Sequence, residues 1–248
     1  MRQLAEELCA QHDRLDVLIN NAGTIQVGPV DLMTLDDYEE AMKVHFWGPL
    51  YTTLAVLPGM RQRRQGRIVN ISSIGGKLSM PHLLPYNASK FALVGLSEGL
   101  RAELAKDRIF VTTVCPGLMR TGSPPNAFFK GQHRAEYAWF SISDALPVLS
   151  QSAERAARQI IAACKRGEAE VVLSLPAKIA TTLHALFPGC TADLLGLVNT
   201  LLLPAPGGIG TARRLGKDSS SQLSPSWLTS LSDKAAQRNN EIAWGELP

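Results

Sequence analysis

Tyr86-Asn87-Ala88-Ser89-Lys90 sets a phenol and an ammonium four residues apart, at the start of a segment that reads as helix. Residues i and i+4 share one helix face, so both side chains can address the same point. A nearby positive charge favours phenolate and lowers a tyrosine pKa. A tyrosine tuned in this way can exchange a proton with a substrate oxygen near neutral pH. The same spacing also occurs in plain exposed helix pairs, so the surrounding elements decide what it means.

Those elements alternate. Asp16-Val17-Leu18-Ile19-Asn20 is a short apolar run closed by Asn21-Ala22-Gly23, a buried strand ending in a turn. Residues 35–62 carry helical periodicity with Asp36 and Asp37 in the first turn, and Pro58 predicts a kink or an early end. Arg67 to Ser73 reads as a second strand before Gly75-Gly76, and the helix opened by Tyr86 runs to about Lys106. Ile109 to Cys115 is a third strand, stopped by Pro116-Gly117. Residues 118–150, rich in Pro, Ser, Gly and aromatics, read as a long mobile loop with short helices. A helix over 153–166 and a strand over Ala169–Leu175 follow. This order predicts an α/β fold, a parallel sheet with helices on both faces.

Asn20-Asn21-Ala22-Gly23, Ser72-Ser73, Tyr86-x-x-x-Lys90 and Pro116-Gly117-x-x-x-Thr121 occur in this order along the chain. Together they resemble the short-chain dehydrogenase/reductase (SDR) family over roughly residues 1–175, with a Rossmann-like doubly wound sheet. The resemblance implies an oxidoreductase that moves hydride between NAD or NADP and an alcohol or ketone. It makes Tyr86 the general acid/base and Lys90 the residue that lowers the Tyr86 pKa and binds the nicotinamide ribose. Ser73, thirteen residues before Tyr86, becomes the serine that hydrogen-bonds the substrate oxygen; by itself Ser73 reads as a hydroxyl capping a turn. Asn20, Asn21, Ala22 and Gly23 would abut the adenosine half of the cofactor, and Pro116, Gly117 and Thr121 would hold the nicotinamide carboxamide. Both segments read equally as strand stops. The helices at 35–62 and 86–106 resemble those through which the family dimerises, which implies a homodimer.

His45 departs from the pattern, because the family usually has asparagine there, supporting a water linked to the lysine. The histidine could hold that water through a ring nitrogen or its carbonyl, or titrate near neutrality and modify the pH profile. The alternative is a packed histidine without a catalytic role. The family's glycine-rich phosphate loop, which normally follows the first strand, has no counterpart. The strand at 16–20 is therefore expected at a sheet edge, and the chain is expected to be a fragment or to start at an internal methionine. A non-catalytic remnant that acts as an interaction or dimerisation module is the competing reading.

Composition is that of an ordinary globular protein with enough apolar mass for a sizeable core: 248 residues, 45% apolar, 19% charged, mean hydropathy +0.01. A net charge of +3 does not call for nucleic acid. Cys9, Cys115, Cys164 and Cys190 form no CxxC pair and read as reduced thiols of a cytoplasmic protein, and five scattered histidines offer no metal spacing. No apolar run reaches transmembrane length. Arg61, Arg63, Arg64 and Arg67 read as a solvated helix end rather than a phosphate site. Residues 176–248 read as a helical appendage that frays into a polar tail. Its apolar stretch Ala177–Leu203 could cover the active site, join a dimer or touch a membrane surface, with the cover preferred. Gly207-Gly208-Ile209-Gly210 reads as a linker turn. Phe128, Phe129, Tyr137, Trp139 and Phe140 suit a small apolar alcohol or carbonyl substrate, or else pack the loop.

Overall fold

A computed structural model describes residues 14–224 and 226–242, together with Glu7, Gln11 and His12. Residues 2–12 read in the sequence as the tail of an amphipathic helix; apart from Glu7, Gln11 and His12 they, Cys9 included, lie outside the described residues, as do residues 243–248. In chain order come β1 (Val17–Asn20), β2 (Gln26–Val27), α1 (Leu35–Met42), α2 (Gly48–Arg63), β3 (Gly66–Ile71) and α3 (Leu84–Leu104). Next are β4 (Ile109–Pro116), β5 (Met119–Arg120), α4 (Ser123–Asn126), β6 (Phe128–Phe129), α5 (His133–Ala145), β7 (Gln151–Ser152) and α6 (Ala153–Arg166). The last are β8 (Glu170–Leu173), α7 (Leu175–Leu186), α8 (Pro188–Leu202), β9 (Arg214–Leu215) and α9 (Ser230–Arg238).

The central sheet is parallel throughout, in the order β1-β3-β4-β8. Successive strand residues point to opposite faces, so each strand feeds two cores. On one face Ile68 and Val111 pack with Val56, Leu57 and Met60 of α2 and with Leu104 of α3. On the other, Val69, Val114 and Leu173 pack with Ala156 and Cys164 of α6. This is the doubly wound arrangement expected from the strand–helix alternation. β1 is an edge strand, with Val17 and Ile19 about half exposed.

Three local expectations are corrected. The helix over 35–62 is interrupted: residues Lys43–Trp47 form a π-helical turn between α1 and α2, and His45 sits in its middle. Such turns are often found at functional sites. Pro58 does not end α2, which continues to Arg63; its neighbours Val56, Leu57 and Met60 are buried, and that packing holds the turn that lacks the proline N–H. Residues 118–150 are not a loose loop. Apolar residues at helical spacing make α5, whose Tyr137 and Phe140 pack with Phe129, Val27 and Leu83. The aromatics named for substrate contact are therefore largely core, and Phe129 and Tyr137 are fully buried.

The C-terminal residues join this second core. β9 pairs antiparallel with β6, which pairs parallel with β2. Gly131 and the 207–210 turn exchange backbone hydrogen bonds.

Candidate active site

The strands of the central sheet end at Asn20, Ile71, Pro116 and Leu173, and the sequence motifs lie just beyond those ends. In open α/β sheets, ligands bind at this carboxyl edge. α3 rises from the same edge and presents Tyr86 and Lys90 one turn apart.

Ser73 leaves β3 in an extended conformation, and its Oγ accepts the Gly75 N–H at 3.0 Å. It also hydrogen-bonds the Tyr86 hydroxyl. Ser72 faces the other way and donates to the Lys90 carbonyl at 3.0 Å. The geometry thus separates the two serines: Ser72 ties β3 to α3, and Ser73 addresses the tyrosine. Gly76 makes that tie feasible, since a side-chain carbon there would sit 2.6 Å from Ser72 Oγ and 2.7 Å from the Lys90 carbonyl oxygen.

Lys90 is buried, and its Nζ donates to the Ile71 carbonyl at 2.9 Å. Burial pushes its pKa down to about 8. Tyr86 is half-buried as a whole, with the Lys90 Nζ 5.5 Å from its ring centroid. The expected depression of the Tyr86 pKa is not found. Burial dominates and pushes it up to about 12, opposed by the Ser73 hydrogen bond and reinforced by Asp144 and Cys115. At neutral pH Tyr86 is therefore a protonated acid.

His45 links the two motifs. Its Nε2 accepts the Thr24 N–H at 3.1 Å, which leaves the ring proton on Nδ1 to donate to Ser89 Oγ at 2.7 Å. Ser89 in turn donates to the Tyr86 carbonyl at 2.8 Å. The His45 ring meets Tyr86 edge-on at 5.4 Å. Burial, and then the Lys90 charge, lowers the His45 pKa to about 3. It stays neutral through the physiological range, so it does not titrate near neutrality. Both ring nitrogens are engaged by protein atoms, and the side chain acts as a brace between the Asn-Ala-Gly turn and α3.

Asn20 is also a brace. Its amide donates to Asn70 Oδ1 at 2.8 Å and its carbonyl oxygen accepts from Thr52 at 2.7 Å, while Asn70 donates to Ser97 of α3 at 2.8 Å. Parallel register places Asn20 directly beside Asn70. Its side chain is committed to this ladder and not to a cofactor. Asn21, Ala22 and Gly23 are exposed beyond β1. A carbon added to Gly23 would lie 3.3 Å from His45 Nε2 and 4.0 Å from Lys90 Nζ, so this turn borders the lysine. Pro116 closes β4, and Gly117 lies against Ser174 and Ala177 at the start of α7. Thr121 Oγ1 accepts the Ser123 N–H at 3.2 Å and donates to Ser123 Oγ at 2.9 Å, just ahead of α4.

Two features were not anticipated from the sequence. Asp144 is buried on the α5 face that carries Tyr137 and Phe140, the residues packed with Tyr86. Burial raises its carboxyl pKa to about 8. A carboxylate continuing an apolar stripe was the available signal. His82 and Glu136 form a buried pair at 2.8 Å, and Glu136 also accepts from Trp139 Nε1 at 2.6 Å. This trio pins α5 to the segment that leads into Tyr86. Among the described residues no group of His, Cys, Asp or Glu could hold a metal ion. An arginine-lined hollow of about 620 Å³ lies at the opposite end of the strands, near Arg63, Arg64 and Arg67.

The nicotinamide–ribose end of a dinucleotide fits these residues. Among the described residues, Lys90 Nζ, with three N–H bonds to give, donates to the Ile71 carbonyl, and the exposed Asn21–Gly23 backbone lies beside it.

The sequence profile described as short chain dehydrogenase matches residues 1–128. The chain belongs to this family. Among curated SDR relatives, a 3-ketodihydrosphingosine reductase of Bacteroides thetaiotaomicron is 43% identical over 126 residues, which is 51% of this chain and 47% of that protein. Dehydrogenase/reductase SDR family member 7B of Bos taurus is 36% identical over 186 residues, 75% of this chain and 56% of that protein. The chain thus spans about half the length of the curated relatives it matches. Among solved SDR structures, a short-chain dehydrogenase from Streptomyces avermitilis superposes with a TM-score of 0.68 at 31% identity, covering 80% of this chain and 75% of that one. A gluconate 5-dehydrogenase from Burkholderia cenocepacia, in complex with NADP and tartrate, gives 0.59 at 26% identity, covering 70% and 68%.

Proposed function

We propose that this chain carries the proton-transfer centre of an NAD(P)-dependent oxidoreductase acting on a small apolar alcohol or ketone. The observation that carries the reading is the convergence of Ser73, Tyr86 and Lys90 at the carboxyl edge of the sheet, with Lys90 buried and, among the described residues, paired with the Ile71 carbonyl and no carboxylate. When bound, the nicotinamide supplies or accepts the hydride. In the reducing direction Tyr86 gives its proton to the substrate oxygen, and Ser73 donates a hydrogen bond to that oxygen as charge develops. The phenolate left behind is stabilised by the positive field of Lys90. A Tyr86 pKa of about 12 keeps this acid loaded at neutral pH. Lys90, with Asn21, Ala22 and Gly23, would border the ribose; Pro116 and Gly117 would border the carboxamide. His45 acts as a positioning residue, and Asn20 serves the fold.

The Bacteroides relative's name supports an apolar keto substrate. Exposed Trp47, Tyr51 and Leu54 around α2, with Phe91 on α3, offer a face for a homodimer.

Titration with NADPH and with NADH, followed by tryptophan fluorescence, tests the cofactor and its preference. A ketone panel then tests turnover. Saturable quenching, with turnover abolished in Tyr86→Phe, is expected. A folded chain that binds neither nucleotide would instead be an interaction module of SDR ancestry, and the reading would fall.

A further inference from the structure

Helices α7 and α8 form a hairpin that leaves a largely apolar side exposed. Of their charged residues only Lys178 and Asp193 appear across Leu175–Leu202. Yet Leu186, Phe187, Leu194, Leu197, Leu201 and Leu202 are each 55–72% exposed, and no residue of α8 is buried. The half-buried residues of α8 are Thr191, Leu195 and Val198, and the rest of the helix is exposed. Ala192, Leu195, Gly196, Asn199 and Thr200 line one side of an open cleft of about 660 Å³, and their spacing places them on one side of the helix. Leu194, Leu197 and Leu201 follow the same periodicity on the opposite face, turned outward. A helix on a soluble protein normally turns such an apolar stripe toward the core. Contiguous exposed apolar surface of this kind marks a contact site.

The composition identifies the contact. Protein-binding patches are enriched in Tyr, Trp, Met and Arg, and leucine is under-represented among residues that anchor them. The outward face here is leucine with one phenylalanine at the bend, the chemistry of acyl chains. The combined hydropathy of the pair reaches that of a membrane span, but the two helices meet at a bend of 119°, and no single described helix is long and apolar enough to cross a bilayer. A bent apolar pair of this length lies along the interface with its leucines sunk below the headgroups. Lys178, exposed beside the Leu175–Ile179–Leu183 stripe, can extend its ammonium to the headgroup layer. The cleft behind α8 continues along Leu78, Met80 and Leu84, which precede Tyr86. It would give an apolar substrate a route from lipid toward the proton-transfer centre, a clause that rests on the proposed oxidoreductase function.

We propose that the α7–α8 hairpin is a monotopic docking surface for a lipid bilayer. The test is flotation of the 248-residue chain with phosphatidylcholine vesicles, with and without phosphatidylglycerol. The wild-type chain is expected to float with the vesicles. The double variant Leu197→Asp/Leu201→Asp should bind at least about a hundredfold more weakly, since each buried leucine contributes roughly tenfold or more. Both residues are exposed, so the variant should fold; circular dichroism checks this. Independently, tryptophan emission of Leu201→Trp should shift to the blue on adding vesicles. A wild-type chain that stays with the soluble fraction for both lipids overturns the proposal. So does a double variant that floats as well as wild type. A lipid-free wild-type dimer that the double variant converts to monomer would assign the face to a second copy instead. Turnover is not read, so failure of the oxidoreductase reading leaves this result standing.

Discussion

Replacing His45 by asparagine should flatten part of the acid sensitivity of this fold. The His45 ring is 1% exposed and neutral, with a pKa held near 3 against 6.5 for a free histidine. Between these values the unfolded chain binds a proton at this residue and the folded chain does not. Stability therefore rises with pH across the window and is lost as pH falls from 6.5 towards 3. The slope is about 1.4 kcal/mol per pH unit, so acidification from about pH 7 to about pH 4.5 removes roughly 2–3 kcal/mol through this one side chain. Carboxylates elsewhere titrate in both proteins and cancel in the comparison. Urea unfolding of wild type and His45→Asn at the two pH values gives four free energies. At neutral pH the variant should be about 1–2 kcal/mol less stable, because contacts to Thr24 and Ser89 are lost or weakened. The gap should close or reverse at the acidic value. Two unfolding free energies that fall in parallel would show that His45 is not held neutral, and the brace would be misassigned. If the protein turns over ketones, His45→Asn should retain that turnover, since the side chain positions α3 and moves no proton.

Other perturbations probe the rest of the site. Asp144→Asn removes a charge that raises the Tyr86 pKa, so the tyrosine limb of the pH–rate profile should move to lower pH. Because the Asp144 carboxyl ionises only near 8, a shift of equal size well below that pH would contradict this account. Gly76→Ala forces a methyl against Ser72 Oγ and the Lys90 backbone; thermal melts should show a loss of about 1–3 kcal/mol, along with reduced cofactor affinity. Asn70→Ala strands the buried ends of the Asn20–Asn70–Ser97 ladder, and chemical denaturation should report a loss of about 2–4 kcal/mol. A change below about 1 kcal/mol would mean that the ladder carries little.

The residues of the proposed proton-transfer centre could be singled out in the sequence because their spacing is local. Tyr86 and Lys90 share a helix face by spacing alone, and Ser73 follows a strand whose β-branched run is unmistakable. The strand–helix alternation fixed a parallel sheet, and with it the edge where those residues meet. What Tyr86 does at a given pH was not legible. Spacing predicts that Lys90 lowers its pKa, but the folded chain turns the ammonium to the Ile71 carbonyl and buries the phenol, so desolvation outweighs attraction. The roles of His45 and Asn20 were likewise set by partners distant in sequence: Thr24 and Ser89 for one, Asn70 and Thr52 for the other. Asp144 became visible only when α5 placed it beside Tyr86. The apolar run after Ala177 was plain in the sequence, but its periodicity could not say which side faces the protein. Only packing decided that α8 half-buries Thr191, Leu195 and Val198 and leaves Leu194, Leu197 and Leu201 exposed. Local pattern sets which groups are present, and burial and long-range contacts set their charge, direction and partners.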